Sequence, residues 1–203
     1  LDAQLVYFPV GRGIDNSQYI PPAPHVGCRF LYLANYIRGK GQEQALEAFA
    51  LIHAHAPDAT LNFVGGDMGL DKNRQYRAGL ATHAAHLGIG DRVTFSDSST
   101  DVATTIRAAD VVLNFSKAES FSHTCVEAGH LGRPVVATRC GGPEEIIVEG
   151  ETGYLVVVDD INATADAMLQ LAINPDLRLT LGQQAHLSAG RTFGGHQFRE
   201  TML

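Results

Sequence analysis

Short, nearly continuous apolar runs recur along the chain, and segments with helical periodicity separate them. Seven of these runs predict β-strands, at Val6–Pro9, Phe30–Ala34, Thr60–Val64, Arg92–Phe95, Asp110–Phe115, Pro134–Thr138 and Tyr154–Val157. Because most of the runs are continuous rather than strictly alternating, they are typical of parallel strands that helices cover on both faces.

The segments between the runs carry apolar residues at helical spacing. The predicted helices are Gln42–Ala56, Tyr76–Leu87, Asp101–Ala108 and Phe121–Leu131, then a tail of Ile161–Ile173, Asp176–Ala189 and a further helix that starts near Phe193. Asn174-Pro175 marks a break within the tail. Alternation of strands and helices at this spacing predicts the α/β class, with a single Rossmann-like, doubly wound parallel sheet and a helical C-terminal tail.

Composition narrows the function classes. The 203 residues are 45% hydrophobic and 18% charged, so the chain can bury the core of one domain. Its 15 Lys and Arg against 22 Asp and Glu give a net charge of −7, which argues against a nucleic-acid partner. No apolar run approaches the roughly 20 residues that span a bilayer, so no transmembrane segment is predicted.

The three cysteines, Cys28, Cys125 and Cys140, show no C-x-x-C spacing. This usage predicts neither a disulfide framework nor a cysteine metal site, and it favours the reducing cytoplasm. The chain begins with Leu1 rather than Met, and we expect it to be part of a longer protein.

An open parallel sheet binds its ligand at the carboxyl ends of its strands, so the loops that follow the predicted strands are the places to inspect. After the second run, Lys40 stands between Gly39 and Gly41 at the start of a helix. Glycines allow close backbone approach, and a lysine beside helix N–H groups suits a phosphate. The segment is not a Walker loop, and by itself it also fits a polar turn with a solvated lysine.

The glycine-rich turn after the third run, Gly65-Gly66-Asp67, does not match G-x-G-x-x-G. The acidic residue that an NAD ribose requires some 20 residues on would be Asp91, which begins a predicted strand. A dinucleotide-dependent oxidoreductase is therefore disfavoured.

The loop after the fifth run carries two glutamates eight positions apart, Glu119 in the loop and Glu127 in the following helix. Between them lie the first-turn N–H groups of that helix, around Ser122 to Thr124, which can hold an anion. Glu119 could accept sugar hydroxyls and Glu127 two ribose hydroxyls, with Lys40 as the balancing cation. Without further context, the two glutamates also fit a helix-dipole contact and a solvated helix position.

Four patterns in order supply that context. They are Glu119-Ser-Phe-Ser-x-x-x-x-Glu127-Ala, Gly132-x-Pro134-Val-Val-Ala-Thr138, Gly141-Gly142-x-Glu144-Glu145-Ile146-Ile147 and Gly150-x-Thr152-Gly153-x-Leu155-Val156. Together they resemble the donor-binding C-terminal domain of a retaining GT-B glycosyltransferase of the group 1 (family 4) type, whose E-x7-E motif the paired glutamates match. The resemblance runs from about Phe30 to Gly190.

The resemblance implies a role for each candidate residue. Glu119 would contact the transferred sugar as the catalytic residue, Glu127 would hold the ribose, and Lys40 would neutralise phosphate charge. The donor diphosphate would lie against the backbone of Phe121, Ser122, His123 and Thr124, with His123 also near the sugar. The loop around Asp97 and Ser98 would meet the nucleotide base.

Three positions depart from the family pattern. Asn35 stands where many relatives carry a diphosphate-binding arginine, Ser122 replaces a common glycine, and Asp97 replaces a glycine of the base loop.

The resemblance also implies a domain plan and partners. Residues 1–203 would form a nucleotide-sugar-binding domain, with residues 1–24 leading in from an absent N-terminal acceptor domain of the same protein. The donor would be a nucleoside diphosphate sugar, and the acceptor, whether glycan, lipid or small molecule, stays open. No metal or other cofactor is expected, because no D-x-D carboxylate pair appears. The implied location is cytoplasmic, with peripheral attachment to the inner membrane face left open for the full-length protein.

Other functions stay open beside this one. A non-catalytic nucleotide-sugar-binding or interaction domain of the same fold is the main alternative, and the asparagine at position 35 speaks for it. Nucleotide-sugar epimerases share the architecture, but the order of the two glutamates does not suggest them. His83 and His86 could share a metal site, although no third ligand is evident. Cys125 and Cys140 are predicted to be small buried residues rather than thiolates.

Overall fold

The computed structural model describes residues 18–194, and the strand predicted at Val6–Pro9 lies outside them. Six strands in the described range form one parallel sheet: β1 (Arg29–Leu33), β2 (Thr60–Val64), β3 (Val93–Ser96), β4 (Val111–Asn114), β5 (Val135–Thr138) and β6 (Gly153–Val156). The helices of this range are α1 (Gln42–His53), α2 (Asp71–His86), α3 (Val102–Arg107), α4 (His123–His130), α5 (Gly142–Ile146), α6 (Ile161–Ile173) and α7 (Pro175–Phe193). The predicted α/β class, the parallel sheet and the helical tail are confirmed.

The strand order is β3-β2-β1-β4-β5-β6. From β1 the chain winds outward to β3, then crosses back to begin β4 on the other side of β1. The loops that leave β1 and β4 therefore diverge toward opposite faces of the sheet, which opens a crevice at their carboxyl ends. This crevice is where the fold itself predicts a ligand.

Helices cover both faces of the sheet. The apolar stripes of α1, α2 and α6 pack on one face, around a core that includes Phe30, Phe49, Phe63 and Met168. On the other face α3 and α4 cover β1, β4 and β5, and α7 packs on α4. Burial on both faces explains why the strands are continuous apolar runs in the sequence.

The helices differ from the prediction in three places. Helix α2 begins at Asp71 rather than Tyr76, because its first turns are polar and carry no apolar stripe. The five-residue α5 was not predicted, since it is shorter than two helical turns and has no readable period. Phe193 ends α7 instead of starting a new helix, because it packs against Val126 and Ala189 and extends the helix past Ala189.

A buried arginine that the sequence did not predict lies at the amino ends of the strands. Arg133 is 1% exposed, and its guanidinium donates to backbone carbonyls instead of a carboxylate. The accepting oxygens belong to Ile20, Arg107, Ala109, Leu131 and Gly132. Burial lowers the pKa of Arg133, and these bonds compensate for the lost hydration. One buried cation thus joins the lead-in chain to the ends of α3 and α4.

A second polar contact, made by His25 just after the lead-in chain, lies at the same end of the sheet. Asp110 accepts from the Arg29 backbone N–H at 2.6 Å and lies 2.9 Å from His25 Nε2. Burial acts to raise the pKa of Asp110, but the hydrogen bonds from Arg29 and His25 outweigh it and hold this pKa below its ordinary value. The carboxylate therefore stays ionised at neutral pH.

We expect the 203-residue chain to unfold in a single cooperative transition, because one sheet organises both halves of its core. The measurement is a thermal melt followed by far-UV and near-UV circular dichroism. Coincident transitions are the expected result. Strong dye binding without a cooperative transition would contradict it.

Candidate functional site

A cavity of about 210 Å³ opens at the carboxyl ends of β1 and β4, in the crevice that the strand order creates. Seven of the nine candidate site residues line it: Asn35, Lys40, Glu119, Phe121, Ser122, His123 and Thr124. The structure thus brings together side chains from the β1–α1 loop, the β4–α4 loop and the start of α4.

The loop that carries Lys40 depends on glycine. Gly39 and Gly41 have φ of 92° and 79°, a region that other residues rarely adopt. A Cβ on Gly41 would lie 1.9 Å from the Phe115 carbonyl oxygen, so the backbone passes β4 too closely for any side chain. The buried Tyr32 hydroxyl donates to the Lys40 carbonyl and accepts from the Phe115 N–H at 2.7 Å. Burial keeps the pKa of Tyr32 well above its usual value, so the hydroxyl stays protonated and joins the two loops.

Glu119 is fixed at its side chain. Lys40 Nζ lies 2.6 Å from Glu119 Oε1, and Ser116 Oγ donates to the same oxygen at 2.8 Å. The side chains of Lys40 and Glu119 are 31% and 19% exposed, so the pair sits in the cavity wall rather than in open solvent. Lys40 thus balances the charge of Glu119 in the structure, and its contact with a phosphate stays a prediction.

Glu119 is also fixed at its backbone. Its N–H donates to the Cys140 carbonyl at 3.0 Å, and its carbonyl accepts from the Gly142 N–H at 2.7 Å. A Cβ on Gly142 would lie 2.6 Å from Phe121 Cα, and one on Gly141 would lie 2.6 Å from the Glu119 carbonyl oxygen. The two glycines thus let the β5–α5 loop press against the loop that carries Glu119.

The first turn of α4 lines the cavity, and Ser122 is its N-cap. The Ser122 hydroxyl accepts from the Cys125 N–H at 3.3 Å and from Asn114 Nδ2 at 2.8 Å. This cap satisfies an otherwise orphan N–H of the helix, which a glycine at position 122 could not do. The remaining first-turn N–H groups leave a partial positive charge at this end of the cavity, which suits an anion.

Asn35 and Ser98 flank the adjoining β2–α2 turn. Asn35 Oδ1 accepts from the Gly66 N–H at 3.1 Å. A Cβ on Gly66 would lie 3.4 Å from Asn35 Oδ1 and 3.7 Å from Ser98 Oγ, so the three residues are neighbours. Ser98 is nevertheless not part of the cavity wall. The amide of Asn35 thus joins the β1–α1 loop to the β2–α2 turn.

Arg77 holds the loop that precedes Ser98. Its guanidinium donates to Asp97 Oδ1 at 2.5 Å and to the Phe95 carbonyl at 2.7 Å, and it stacks 5.0 Å above the Tyr36 ring. Asp97 is thus held in an ion pair with Arg77.

Glu127 lies in α4 and is 8% exposed. The alternative of a solvated helix glutamate is therefore wrong. Its side chain is not part of the cavity wall in the described structure, so the cavity unites Glu119 with Lys40 but not with Glu127.

Sequence reasoning missed three residues that build the site, namely Tyr32, Asn114 and Ser116. Asn114 Nδ2 donates to the Ser122 cap, and Asn114 Oδ1 accepts from the Ser116 N–H at 3.2 Å. A polar residue at the end of an otherwise apolar strand was the available signal for Asn114, and for Tyr32 it was a hydroxyl within an apolar run. No comparable signal marked Ser116, whose role is visible only from its contact with Glu119.

The structure describes the surroundings of the two cysteines and the two histidines for which the sequence raised a thiolate or a metal site. Burial raises the pKa of Cys125 to about 12 and also raises the pKa of Cys140, so both stay protonated thiols. His83 lies 3.5 Å from Glu47 rather than in a ligand cluster with His86. Across residues 18–194, no group of three or more His, Cys, Asp or Glu side chains could hold a metal ion.

The helices within the same range were also compared with the length and hydropathy that a membrane span requires, and none of them meets both requirements.

Comparison with protein families gives a match to the model described as glycosyl transferases group 1, over residues 23–187. Among curated relatives, the chain is 32% identical over 163 residues to N-acetyl-alpha-D-glucosaminyl L-malate synthase of Bacillus anthracis, covering 80% of this chain and 41% of that protein. It is 37% identical over 156 residues to D-inositol 3-phosphate glycosyltransferase of Mycobacterium leprae, covering 74% of this chain and 35% of the relative. The chain thus spans about two fifths of the length of these relatives.

Solved structures show the same fold. HepE of Anabaena, crystallised in complex with UDP, superposes with a TM-score of 0.77 at 26% identity, over 86% of this chain and 48% of that one. The C-terminal domain of a glycosyl transferase group 1 family protein, LpcC of Francisella tularensis, superposes with a TM-score of 0.78 at 23% identity. That match covers 91% of this chain and all of the isolated domain, so the two chains share the fold over almost their whole length.

Proposed function

The chain belongs to the group 1 glycosyl transferases, and from this premise we propose that it is the donor-binding domain of a retaining glycosyltransferase. The reaction is transfer of a sugar from a nucleoside diphosphate sugar to an acceptor. The observation that carries the proposal is one cavity in which the Lys40–Glu119 pair faces the first turn of α4. This arrangement supplies an anion site and a hydroxyl acceptor side by side, as a diphosphate and its sugar require.

The proposed pose follows from the chemistry of the cavity. The diphosphate lies against the first-turn N–H groups at Ser122 to Thr124 and takes a further contact from Lys40. The sugar turns toward Glu119, whose carboxylate accepts its hydroxyls. The nucleoside extends toward Asn35 and Ser98, and Glu127 holds the ribose. UDP in the HepE complex supports a uridine nucleotide as the first donor to test.

In the transition state, negative charge develops on the departing diphosphate. Helix N–H groups and an ammonium that are already in place stabilise that charge without reorganisation, which is how a site of this kind lowers the barrier. We propose that this device replaces a divalent metal, so that nucleotide binding persists in excess chelator. Retention of configuration at the sugar rests on the E-x7-E resemblance, and the anomeric configuration of the first-formed product, read by NMR, tests it.

The domain plan completes the proposal. Residues 1–203 form the nucleotide-sugar domain, residues 1–24 lead in from an N-terminal domain that binds the acceptor, and the acceptor is a glycan, a lipid or a small molecule. A cytoplasmic location stays a prediction from the cysteine usage. Because acceptor positioning belongs to the other domain, this chain alone is expected to bind donor without transferring its sugar.

A non-catalytic binding domain is the second candidate, and the observation that favours it is the amide at Asn35, which contacts Gly66 instead of offering a cation. The two candidate functions differ in the effect that the sugar of the donor should have on binding and turnover. A catalytic donor site gains affinity or turnover from contacts at Glu119, whereas a domain that only binds the nucleotide does not.

A calorimetric titration tests the proposal. The 203-residue chain is titrated with UDP, GDP and ADP and with the glucose conjugate of each, with and without chelator. One nucleotide series is expected to bind, with or without chelator. Absence of binding in all three series, with a cooperative melt to prove that the chain is folded, would overturn the proposal.

Replacing Glu127 by Ala is expected to weaken the bare nucleoside diphosphate and its sugar conjugate equally, by about 1–3 kcal/mol, because a charged hydrogen-bond partner of the ribose is removed. Isothermal titration gives both dissociation constants. The control is Glu151→Ala, which removes an exposed carboxylate from a turn before β6. Unchanged affinities in a folded Glu127→Ala variant would show that this buried glutamate serves the fold instead.

A further inference from the structure

The two hydrogen bonds that hold the Glu119 carboxylate reach the same oxygen. Lys40 Nζ and Ser116 Oγ lie 2.6 and 2.8 Å from Oε1. Of the hydrogen bonds that the structure describes within residues 18–194, none reaches Oε2. Two donors on one oxygen fix the plane of the carboxylate and leave the acceptor capacity of the second oxygen for a ligand.

Ser116 is held firmly enough to act as a fixed donor. It is 1% exposed, its N–H donates to Asn114 Oδ1, and its carbonyl accepts from Thr138 Oγ1 at 2.6 Å. Its position at the start of the β4–α4 loop is therefore anchored to the ends of β4 and β5. A buried hydroxyl with a charged acceptor makes one of the stronger neutral-donor contacts available in a protein.

Lys40 connects the bonded oxygen of Glu119, Oε1, to the part of the cavity proposed for the phosphates. An ammonium has three N–H donors, and one of them is directed at Glu119 Oε1. The remaining donors can reach phosphate oxygens on the cavity side of the loop. Glu119 Oε1 is thus linked through Lys40 to the phosphate end of the cavity.

From this geometry we infer that Ser116 is a positioning residue for sugar recognition, and that Glu119 reads a sugar hydroxyl through Oε2 alone. The inference rests on the proposed function and deepens it. Because an ionised carboxylate oxygen only accepts, the donor sugar must present a hydroxyl at this point. Ser116 acts through Glu119 and has no contact of its own with the nucleotide.

The test compares bare nucleotide with sugar nucleotide. The probes are UDP and UDP-glucose, or the GDP or ADP pair if the panel selects that base. Ser116→Ala is expected to reduce the ratio of their affinities about three- to tenfold, the effect of losing one ordinary hydrogen bond, because Ser116 acts on the sugar only through Glu119. The Kd of the bare nucleotide should stay within about twofold. Thr180→Val is the matched control, because it removes an exposed hydroxyl that bonds only within α7.

A double-mutant cycle distinguishes positioning from direct contact. When Glu119 is already Ala, the Ser116→Ala change should leave the affinity ratio unaltered, because Ser116 then has nothing to position. Equal weakening of UDP and UDP-glucose by Ser116→Ala, or an undiminished effect without Glu119, would overturn the inference.

A ligand-free measurement separates this inference from the proposed function. In a crystal structure of the Ser116→Ala variant, the Glu119 carboxylate is expected to rotate so that Oε1 leaves its present position beside Lys40 and residue 116. An unmoved carboxylate would refute the positioning role even if nucleotide binds as proposed. A rotated carboxylate in a chain that binds no nucleotide would support the positioning role and reject the proposed ligand.

Discussion

Replacement of Glu119 by Ala in the full-length enzyme is expected to lower turnover about 100- to 1,000-fold, the usual cost of removing one preorganised polar group at the reacting centre. The sugar changes most between ground state and transition state, so a residue that contacts the sugar affects the chemical step more than binding. The affinity of the 203-residue chain for the bare nucleoside diphosphate should stay within about twofold.

The measurement pairs initial rates of the full-length enzyme with calorimetry on the 203-residue chain. Glu119→Gln is the informative second variant, because it keeps the shape of the side chain and removes the charge that pairs with Lys40. We expect it to lose turnover while folding as the wild type does. Parallel losses in nucleotide affinity and turnover for both variants would show that Glu119 serves the diphosphate, by holding Lys40, rather than the sugar.

Replacement of Arg133 by Met is expected to destabilise the chain by about 3–5 kcal/mol, because several buried carbonyl oxygens lose their donor at once. The lost bonds join the lead-in chain at Ile20 to the ends of α3 and α4. Chemical denaturation followed by circular dichroism gives the free energy of unfolding. Because the site lies at the opposite end of the sheet, nucleotide affinity of the folded variant should not change.

The matched control is Arg139→Met, an arginine that is 46% exposed and paired with an equally exposed Glu149. Its loss should be about 1 kcal/mol or less, as for other surface ion pairs. Similar losses at positions 133 and 139 would show that the backbone carbonyls find other donors when the buried guanidinium is removed.

The sheet was predictable because parallel strands covered on both faces leave a plain signal. All six predicted strands that fall within the described residues are present, with ends shifted by a residue or two. Strand order and the buried Arg133 were not predictable in the same way. An arginine after a turn looks like a surface residue in the sequence, and only the packing of Ile20 and α3 around it reveals its burial.

The candidate site likewise has features that the sequence predicts and features that only the structure reveals. Lys40, Asn35 and the residues from Glu119 to Thr124 follow directly after two strands that turn out to be neighbours, so their convergence follows from the rule for parallel sheets. Spacing alone could not reveal that Glu127 is buried outside the cavity wall, because that depends on how α4 is rotated about its axis. The role of Ser116 required atomic contacts, since any short polar loop contains such a serine.

The pairing of Lys40 with Glu119 has a consequence for how quickly a ligand arrives. The two charges cancel in the cavity wall, and the chain as a whole carries −7, so a distant diphosphate is repelled rather than attracted. Attraction begins only at contact, where the field of the α4 N–H groups, which fades within one helical turn, takes effect. Added salt screens the repulsion and leaves these short contacts intact, so the association rate should rise with ionic strength. A site of this kind selects its anion after collision, by shape and hydrogen bonding, and not by steering it from solution.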